Sequence, residues 1–277
     1  MRLYRTVLSI AGSDSGGGAG IQADIKTISA LGVYATTAIT AVTAQNTCGV
    51  SSIEPVSPLL VKAQIEAVLS DIGADAIKIG MLHNMATAKA VSEAIVQYNP
   101  QYVILDPVMI STSGHKLIED ETIDFIRNTL MKQASLITPN IDEAALLAQC
   151  EIQSEKEVYT AAEKLLNTGC QAVLMKGGHL KGETMTDILF TKNKNPLVLK
   201  EKHITSQNTH GTGCTLSSAI ASYLALGQQL EDAVIAAKRY ITQAIEAGSV
   251  VTVGKGHGPL NHFFNPTPLH ITSEHLT

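Results

Sequence analysis

The sequence predicts a three-layer α/β fold with a mostly parallel central sheet and helices on both faces. Short runs of β-branched residues alternate with amphipathic helices along most of the 277 residues, a pattern typical of right-handed β-α-β units. The chain is 45% hydrophobic but only 4% aromatic and lacks Trp, so it can bury a large aliphatic core. No linker or internal repeat interrupts the alternation, and we therefore predict one domain over residues 1–277.

The individual elements follow from periodicity and from helix-capping residues. Ser57 with Pro58 is a typical helix start, and Ser154 with Glu157 forms a capping box for a helix that Gly169 closes. Segments 186–191 and 197–204 break the alternation and indicate an antiparallel addition. In chain order we predict strand 7–11, helix 20–31, strand 34–43, a helix from 58, strand 76–79, helix 86–98, strand 102–105, helix 120–130, strand 136–138, a helix from 155, strand 172–176, and two long helices after 211 and 229.

Charge and cysteine usage exclude several classes of protein. The net charge is -5 without a Lys/Arg cluster, so we expect neither a nucleic-acid nor a membrane-surface partner. The apolar run 7–11 is too short for a signal peptide, and no uncharged stretch is long enough to span a bilayer. The cysteines are scattered, without a CxxC pair or zinc spacing, which favours a reduced, cytoplasmic location. They are Cys48, Cys150, Cys170 and Cys214.

Polar or glycine residues follow successive strands of the predicted sheet. In open parallel sheets, ligands bind outside the carboxyl ends of the strands. Each such residue alone is unremarkable, because loops are polar, but together they predict a binding site at one edge. The strand ends in question are Gly12-Ser13-Asp14, Gln45-Asn46, Gly80-Met81, Asp106-Pro107, Asn140 and Lys176-Gly177-Gly178.

The common nucleotide and metal motifs are absent. No segment supplies the Walker A pattern, and HExxH does not occur. The glycine run after the first strand is similar to a dinucleotide loop, but from Gly16 the pattern requires glycine where Ile21 stands. A Rossmann dehydrogenase is therefore only a weak alternative.

The segment "NTHGTGCTLSSAIASYLAL", residues 208–226, places glycines and a cysteine at a helix start. Gly211 and Gly213 allow backbone N–H groups to turn toward one point, where the helix dipole favours an anion. Cys214 would lie in the first turn, a position that lowers the pKa of a thiol. The alternative is a glycine-capped helix with a small packed cysteine.

Seven motifs, in order, resemble one known family. They are "AGSDSGGGAGIQADIKT", "AVTAQNT", "KIGML", "LDPVM", "TPNIDEA", "LMKGGH" and "NTHGTGCTLS". The chain is thereby identified as similar to hydroxymethylpyrimidine/phosphomethylpyrimidine kinases of the ribokinase-like superfamily, from about residue 7 to the "GHGPLNHFF" segment. The resemblance implies two ATP-dependent phosphorylations of 4-amino-5-hydroxymethyl-2-methylpyrimidine in thiamine biosynthesis, together with Mg²⁺ and a homodimer.

The resemblance also implies roles for residues at the phosphate end. The backbone N–H groups of Gly211, Thr212, Gly213 and Cys214 would form an anion hole for the transferred phosphoryl group. Cys214 stands where sugar kinases of the superfamily carry an aspartate base. Lys176 would lie against the nucleotide phosphates.

A metal role is implied for three further residues. Asn140 and Glu143 match the superfamily's Asn-x-x-Glu, which organises Mg²⁺ largely through water. Asn140 could equally be the N-cap of a helix starting near Ile141, and both roles are compatible. Asp106 would either join the metal shell or simply end its strand.

Gln45 matches the family's pyrimidine reader. Its amide offers a donor and an acceptor, the complement of a ring nitrogen beside an exocyclic amine. Asp24 and Met81 are weaker candidates for substrate contacts, with an exposed helix position and ordinary packing as the alternatives. Residues 111–116 ("STSGHK") could form a lid, although Thr112 and His115 depart from the lysine and the acid of some relatives.

Two other functions are alternatives. A pyridoxal kinase of the same fold, or a dual-specificity enzyme, is the first, and Gln45 argues for the aminopyrimidine because pyridoxal lacks the amine. The second is a sensor that binds the pyrimidine without turnover. Lys176, Asn140, Glu143 and Cys214 oppose it, since a pure binder needs no metal and phosphate apparatus.

Overall fold

A computed structural model of the chain describes residues 2–109, 117–177 and 184–273, and its strands alternate with helices as predicted. The strands within these residues are β1 (Arg2–Tyr4), β2 (Thr6–Asp14), β3 (Tyr34–Asn46), β4 (Gly49–Pro55), β5 (Ala76–Ile79), β6 (Val103–Leu105), β7 (Leu136–Ile137), β8 (Ala172–Lys176), β9 (Thr184–Thr191), β10 (Leu197–Lys202) and β11 (Ile271–Ser273). The helices are α1 (Gly20–Ala30), α2 (Pro58–Asp71), α3 (Met85–Tyr98), α4 (Asp120–Phe125), α5 (Met131–Gln133), α6 (Ile141–Ala148), α7 (Glu155–Asn167), α8 (Thr212–Ala225) and α9 (Leu230–Gly248), with a π-helical turn, Ile126–Leu130, between α4 and α5.

The central sheet is mostly parallel, which confirms the predicted fold class. In the described part of the chain, nine strands pair in the order β10-β9-β8-β7-β6-β5-β2-β3-β4. Neighbours from β8 to β3 run parallel, whereas β4, β9 and β10 are antiparallel to their neighbours. Strand β2 lies between β3 and β5. The chain therefore adds strands first on one side of β2 and then on the other. This reversal opens a crevice at the carboxyl ends of β2 and β5, where α/β sheets bind ligands.

Two aliphatic cores hold the layers together, one on each face of the sheet. On one face α2, α3, α6 and α7 pack their apolar residues against inward side chains of β2, β5 and β8. On the other face α1, α8 and α9 cover the opposite side chains of the same strands. Helix α8 is buried around most of its circumference, so its N-terminus is fixed against the sheet edge. None of the described helices is both long and apolar enough to cross a bilayer.

The predicted strands and helices are confirmed, but three strands were not predicted and one predicted helix is irregular. Ser57 accepts a hydrogen bond from the Leu60 N–H at 3.3 Å, and Ser154 with Glu157 forms the expected capping box. The sequence pattern did not predict strands β1, β4 and β11. In β4 only Val50 is buried, so this edge strand lacks the alternation that marks a half-buried strand. The helix predicted over 120–130 changes to a π-helical turn at Ile126.

A buried ion pair connects four elements beneath the sheet edge. The Lys78 ammonium on β5 lies 2.9 Å from both carboxylate oxygens of Asp24 on α1, and both side chains are fully buried. Ser9 on β2 and Ser218 on α8 donate hydrogen bonds to the same carboxylate at 2.5 and 2.7 Å. Asp24 thus receives donors from β5, β2 and α8, and its charge is fully compensated in the interior.

We expect Asp24→Asn to destabilise the protein by about 3–5 kcal/mol, because it leaves the Lys78 ammonium buried without a counter-charge while keeping the side-chain volume. Urea unfolding followed by circular dichroism measures the effect. Glu93→Gln is the control, since Glu93 pairs with Lys62 at the surface and its loss leaves the unfolding midpoint nearly unchanged. Equal midpoints for the two variants would contradict the assignment.

Candidate active site

A cavity of about 660 Å³ opens at the carboxyl ends of the parallel strands. Its lining brings together residues from every strand end that the sequence analysis singled out. These are Gly12, Ser13 and Asp14 at the end of β2, Gln45 on β3, Met81 after β5, Asp106 after β6, Asn140 after β7 and Lys176 at the end of β8. The start of α8 closes the same cavity with Gly211, Thr212, Gly213 and Cys214. Gly178 lies outside the described residues.

One end of the cavity concentrates charge on Lys176, Asp106 and Glu143. The Lys176 ammonium lies 3.0 Å from Oδ1 of Asp106 and 3.9 Å from Oε2 of Glu143. Thr138 and Ser217 also donate to the Asp106 carboxylate, at 3.0 and 3.3 Å. Burial alone would lower the pKa of Lys176, but the two carboxylates raise it, so the ammonium stays charged. A fixed cation at this position suits an anionic phosphate group.

Lys176 also packs against the first turn of α8. A Cβ atom on Gly213 would lie 3.2 Å from the Lys176 ammonium and 3.6 Å from Oδ2 of Asp106. Gly211 has φ +87° and precedes α8 as its N-cap, and a side chain there would collide with the carbonyl of Gly18. Glycine at both positions therefore lets the helix start approach the lysine and the glycine loop 16–18.

The N–H groups at the α8 start do not all point the same way. Thr212 donates its backbone N–H at 3.3 Å and its hydroxyl at 2.5 Å to the carbonyl of Thr209, so its polar groups face the preceding loop. Gly213 and Cys214 follow in the first helical turn, where N–H groups have no partner inside the helix. Of the four N–H groups predicted to form an anion hole, that of Thr212 therefore faces its own loop, and the role of the other three stays a prediction.

The expectation of a lowered thiol pKa at Cys214 is wrong. Burial raises the pKa of this thiol to about 11, and the negative charges of Asp24 and Asp106 add to the increase. The Lys78 ammonium and the N–H of Gly20, which donates to the sulfur, act in the opposite direction but are outweighed. Desolvation thus exceeds the benefit of a helix N-terminus, and at neutral pH the thiol holds its proton.

Asn140 and Glu143 form a capping box at the start of α6. The Glu143 N–H donates to Oδ1 of Asn140, and the Asn140 N–H donates to Oε2 of Glu143, both at 2.8 Å. The predicted N-cap is therefore confirmed. Burial raises the pKa of Glu143 to about 7, with the Lys176 charge opposing and the Asp106 charge adding to that increase.

The oxygen atoms near Lys176 fit a magnesium ion held mainly through water. Asp106 and Glu143 supply carboxylates, the ligands that Mg²⁺ prefers. Within residues 2–109, 117–177 and 184–273, no three His, Cys, Asp or Glu side chains converge as a metal-binding cage. Two carboxylates beside open cavity space suit an ion that retains most of its water shell.

The other end of the cavity carries Gln45 and Met81. Gln45 is half-buried, with its amide beside His210 and Thr43. Met81 is buried and packs near Ala41 and Leu117, so one flank of this end is apolar. Both residues thus line the cavity, and their contacts with a substrate stay predictions.

Asp24 does not line the cavity, so the expected direct contact with substrate is wrong. It is also not an exposed helix residue, because its carboxylate is fully buried against Lys78. Lys78, which does line the cavity, was missed by sequence reasoning. A single lysine within the buried strand "AIKI" was the available signal, since a charge in an apolar strand requires a partner.

Two further groups were missed. Asp14 accepts backbone N–H groups from Gly16, Gly18 and Ala19 at 2.8–3.1 Å, and so shapes the glycine loop. Asp187 accepts the Gly177 N–H at 3.0 Å and pairs with Lys238 at 2.5 Å, which fixes the chain just after Lys176.

The predicted lid, residues 111–116, lies outside the described residues.

Comparison with known proteins shows what the chain resembles. A sequence model of the family described as phosphomethylpyrimidine kinase matches residues 14–261. A hydroxymethylpyrimidine/phosphomethylpyrimidine kinase from Rhizobium meliloti (strain 1021) is 48% identical over 258 residues, which cover 92% of this chain and 96% of that protein. The thiamine biosynthesis bifunctional protein ThiED of Geobacter sulfurreducens is 46% identical over 257 residues, which cover 93% of this chain and 52% of that protein.

A solved structure shares the fold. Bacillus subtilis pyridoxal kinase, crystallised as an ADP complex, superposes with a TM-score of 0.86 at 34% sequence identity. The superposition covers 94% of this chain and 97% of the pyridoxal kinase.

The raised pKa of Cys214 predicts slow alkylation. We expect iodoacetamide to modify Cys214 more slowly than the exposed Cys48 at pH 7.5, measured by peptide mass spectrometry. Because the reactive thiolate forms only as pH approaches about 11, the Cys214 rate should still be rising between pH 8 and 10. A rate that levels off below pH 8 would mean that the helix terminus outweighs burial.

Proposed function

The chain belongs to the phosphomethylpyrimidine kinase family, and from this membership we infer that it acts in thiamine biosynthesis. It transfers the γ-phosphoryl group of ATP to 4-amino-5-hydroxymethyl-2-methylpyrimidine and then to the resulting monophosphate. The observation that carries the inference is the cavity itself. It brings together Lys176 and Gly213, which would bind phosphate, Gln45, which offers a donor and an acceptor, and Cys214.

The phosphate end supplies electrostatic stabilisation. Lys176 would neutralise the nucleotide phosphates, and its position is fixed by Asp106 and by contact with Gly213. The N–H groups of Gly211, Gly213 and Cys214 would donate to the transferred phosphoryl group. Such preorganised donors stabilise charge that develops in the transition state.

Mg²⁺ would be held by Asp106, Glu143 and Asn140, largely through water. A magnesium ion bound there would supply positive charge to the phosphate groups. In the protein alone, Asp106 pairs with Lys176, and Glu143 stays near Lys176 because the α6 capping box fixes it. These contacts hold both carboxylates at the cavity.

Cys214 would face the substrate hydroxyl as the base. Since its thiol holds a proton at neutral pH, only a small thiolate fraction is available, but that thiolate is a strong base. Its counter-charge is Lys78, which lines the cavity beside it. Asp24 thus acts on the site through Lys78 rather than through the substrate.

The pyrimidine end is built from Gln45 and Met81. The Gln45 amide would pair with a ring nitrogen and the adjacent exocyclic amine, and Met81 would pack against the ring. ATP would occupy the rest of the cavity, whose apolar lining includes Ile204, Leu216 and Ile241. The ADP complex of the pyridoxal kinase with the same fold supports a nucleotide in this fold.

We extend the proposal to organisation and location. One kinase domain over residues 1–277 is supported by the central sheet, whose strands run from Thr6 to Lys202. The four free cysteines support a reducing cytoplasm. A homodimer rests on the resemblance to ribokinase-like kinases.

The direct test is mass spectrometry of the products formed by the purified protein with MgATP. With hydroxymethylpyrimidine we expect both monophosphate and diphosphate. Pyridoxal at the same ATP concentration is the comparison, because a relative that is 34% identical is a pyridoxal kinase. A higher kcat/KM for pyridoxal would replace the proposed substrate, and pyrimidine binding without ATP consumption would indicate a sensor.

Cys214→Ala should separate the two phosphorylations. The first nucleophile is an alcohol that must lose its proton, whereas the second is a phosphate monoester, mostly dianionic above a pKa of about 6. We expect about a 10²-fold loss in the first step, the lower end for general bases, because most of the thiol is protonated. The second step should change little.

Single-turnover kinetics on each substrate at saturating MgATP measures both effects. In the wild-type protein, the first-step rate should also rise with pH above neutrality, because deprotonation of the Cys214 thiol increases. Equal losses in both steps would show that the cysteine shapes the anion hole instead of acting as a base. No loss in either step would mean that it only packs at the helix start.

A further inference from the structure

The contacts of the Gln45 side chain determine how its amide must be oriented. As shown, Nε2 of Gln45 lies 3.2 Å from Nε2 of His210, and Oε1 of Gln45 lies 3.2 Å from Oγ1 of Thr43. The nitrogen and oxygen of a primary amide exchange places by a 180° rotation about the last side-chain bond. The hydrogen-bonding capacity of the two neighbours decides between the two orientations.

His210 presents an N–H group to Gln45. Its Nε2 lies 2.8 Å from Oδ2 of Asp14, and a carboxylate can only accept, so Nε2 must carry a proton. Burial opposes the charge of Asp14, but hydrogen bonds from His210 and from the Ala19 and Gly16 backbone outweigh it and lower the pKa of Asp14. An amide nitrogen facing this N–H would place two donors against each other.

Thr43 presents an acceptor to Gln45. Its hydroxyl has a single proton, which it donates to the carbonyl of Ser13 at 2.7 Å. In the longer contact, at 3.2 Å, the Gln45 amide therefore faces a lone pair of the Thr43 hydroxyl oxygen. An amide oxygen at this place would bring two acceptors together, whereas an amide nitrogen would donate.

We infer that His210 and Thr43 hold the Gln45 amide in one orientation, with Oε1 toward His210 and Nε2 toward Thr43, and thereby make the enzyme selective for a 4-aminopyrimidine over its 4-oxo counterpart. The inference rests on the proposed function. In this orientation the His210 proton is shared between Asp14 and Gln45, and both neighbours of the amide are satisfied. His210 and Thr43 are positioning residues, since they act through Gln45.

The selectivity follows from the hydrogen-bonding groups of the Gln45 amide that remain available to the ligand. One N–H is used by Thr43 and one oxygen lone pair by His210, so one N–H and one lone pair remain for the ligand. A 4-aminopyrimidine offers a ring nitrogen acceptor beside an amine donor. The 4-oxo form offers a ring N–H donor beside a carbonyl acceptor, the reverse order. A freely rotating amide would accept both by turning over, whereas a fixed amide accepts only one.

The experiment compares kcat/KM for hydroxymethylpyrimidine and its 4-oxo analogue. We expect the wild-type protein to prefer the amino compound by at least about 10²-fold. The double variant His210→Leu/Thr43→Val should reduce this ratio by about tenfold or more, with the single variants between. The ratio cancels any general loss of activity, which a merely structural role would impose on both substrates alike.

Two matched variants control the comparison. Thr43→Ser keeps the hydroxyl and should keep the ratio. Thr36→Val removes another β3 hydroxyl that donates to a β2 carbonyl, that of Val7, and should also keep it. If the double variant does not fold, neutron crystallography of the unmodified protein still tests the orientation, because deuterium should appear on the amide atom facing Thr43.

The outcomes separate this inference from the proposed function. Absence of any product from the amino compound would overturn the proposed function. Product formation with an unchanged ratio in the double variant would overturn the inference alone. Deuterium on the amide atom facing His210 would overturn it as well. A reduced ratio in the double variant, with the wild-type ratio in Thr43→Ser and Thr36→Val, supports it.

Discussion

The ion pair between Lys78 and Asp24 is the constraint on which the cavity depends. A lysine buried in a parallel strand is tolerable only with a counter-charge and further donors, because an unpaired buried ion costs several kcal/mol. Asp24 meets that need from α1, and Ser9 and Ser218 complete its hydrogen bonds. The pair therefore determines how α1 and α8 lie on the sheet, and so where the α8 N-terminus, with Cys214, meets the cavity.

The same balance of charge and burial extends across the site. Asp106 links Lys176 to Thr138 and Ser217, and the α6 capping box holds Glu143 in place. Each charged group thus has a structural partner in the protein alone. The proposed phosphate end is therefore preorganised, and a ligand with phosphate groups would meet Lys176 in a fixed position.

The sequence was a good guide to the positions of the site residues and a poor guide to their electrostatics. Strand alternation located the carboxyl ends, so Gln45, Asp106 and Lys176 could be placed at one edge. The raised pKa of Cys214 depends on how deeply α8 is buried and on the distant Asp24, which local pattern does not encode. Edge strand β4 was missed because edges lack alternating burial. Lys78 was missed because its partner lies 54 residues away.

Contacts between residues far apart in the sequence have a consequence for synthesis. Asp14 meets His210 across 196 positions, and Asp24 meets Ser218 across 194. During synthesis on the ribosome, the carboxylates of β2 and α1 lack these donors until most of the polypeptide has been made. Such long-range closure is slow, and it leaves apolar sheet surface uncovered in the meantime. The nascent chain therefore keeps exposed apolar surface, and is prone to aggregate, until α8 has been translated.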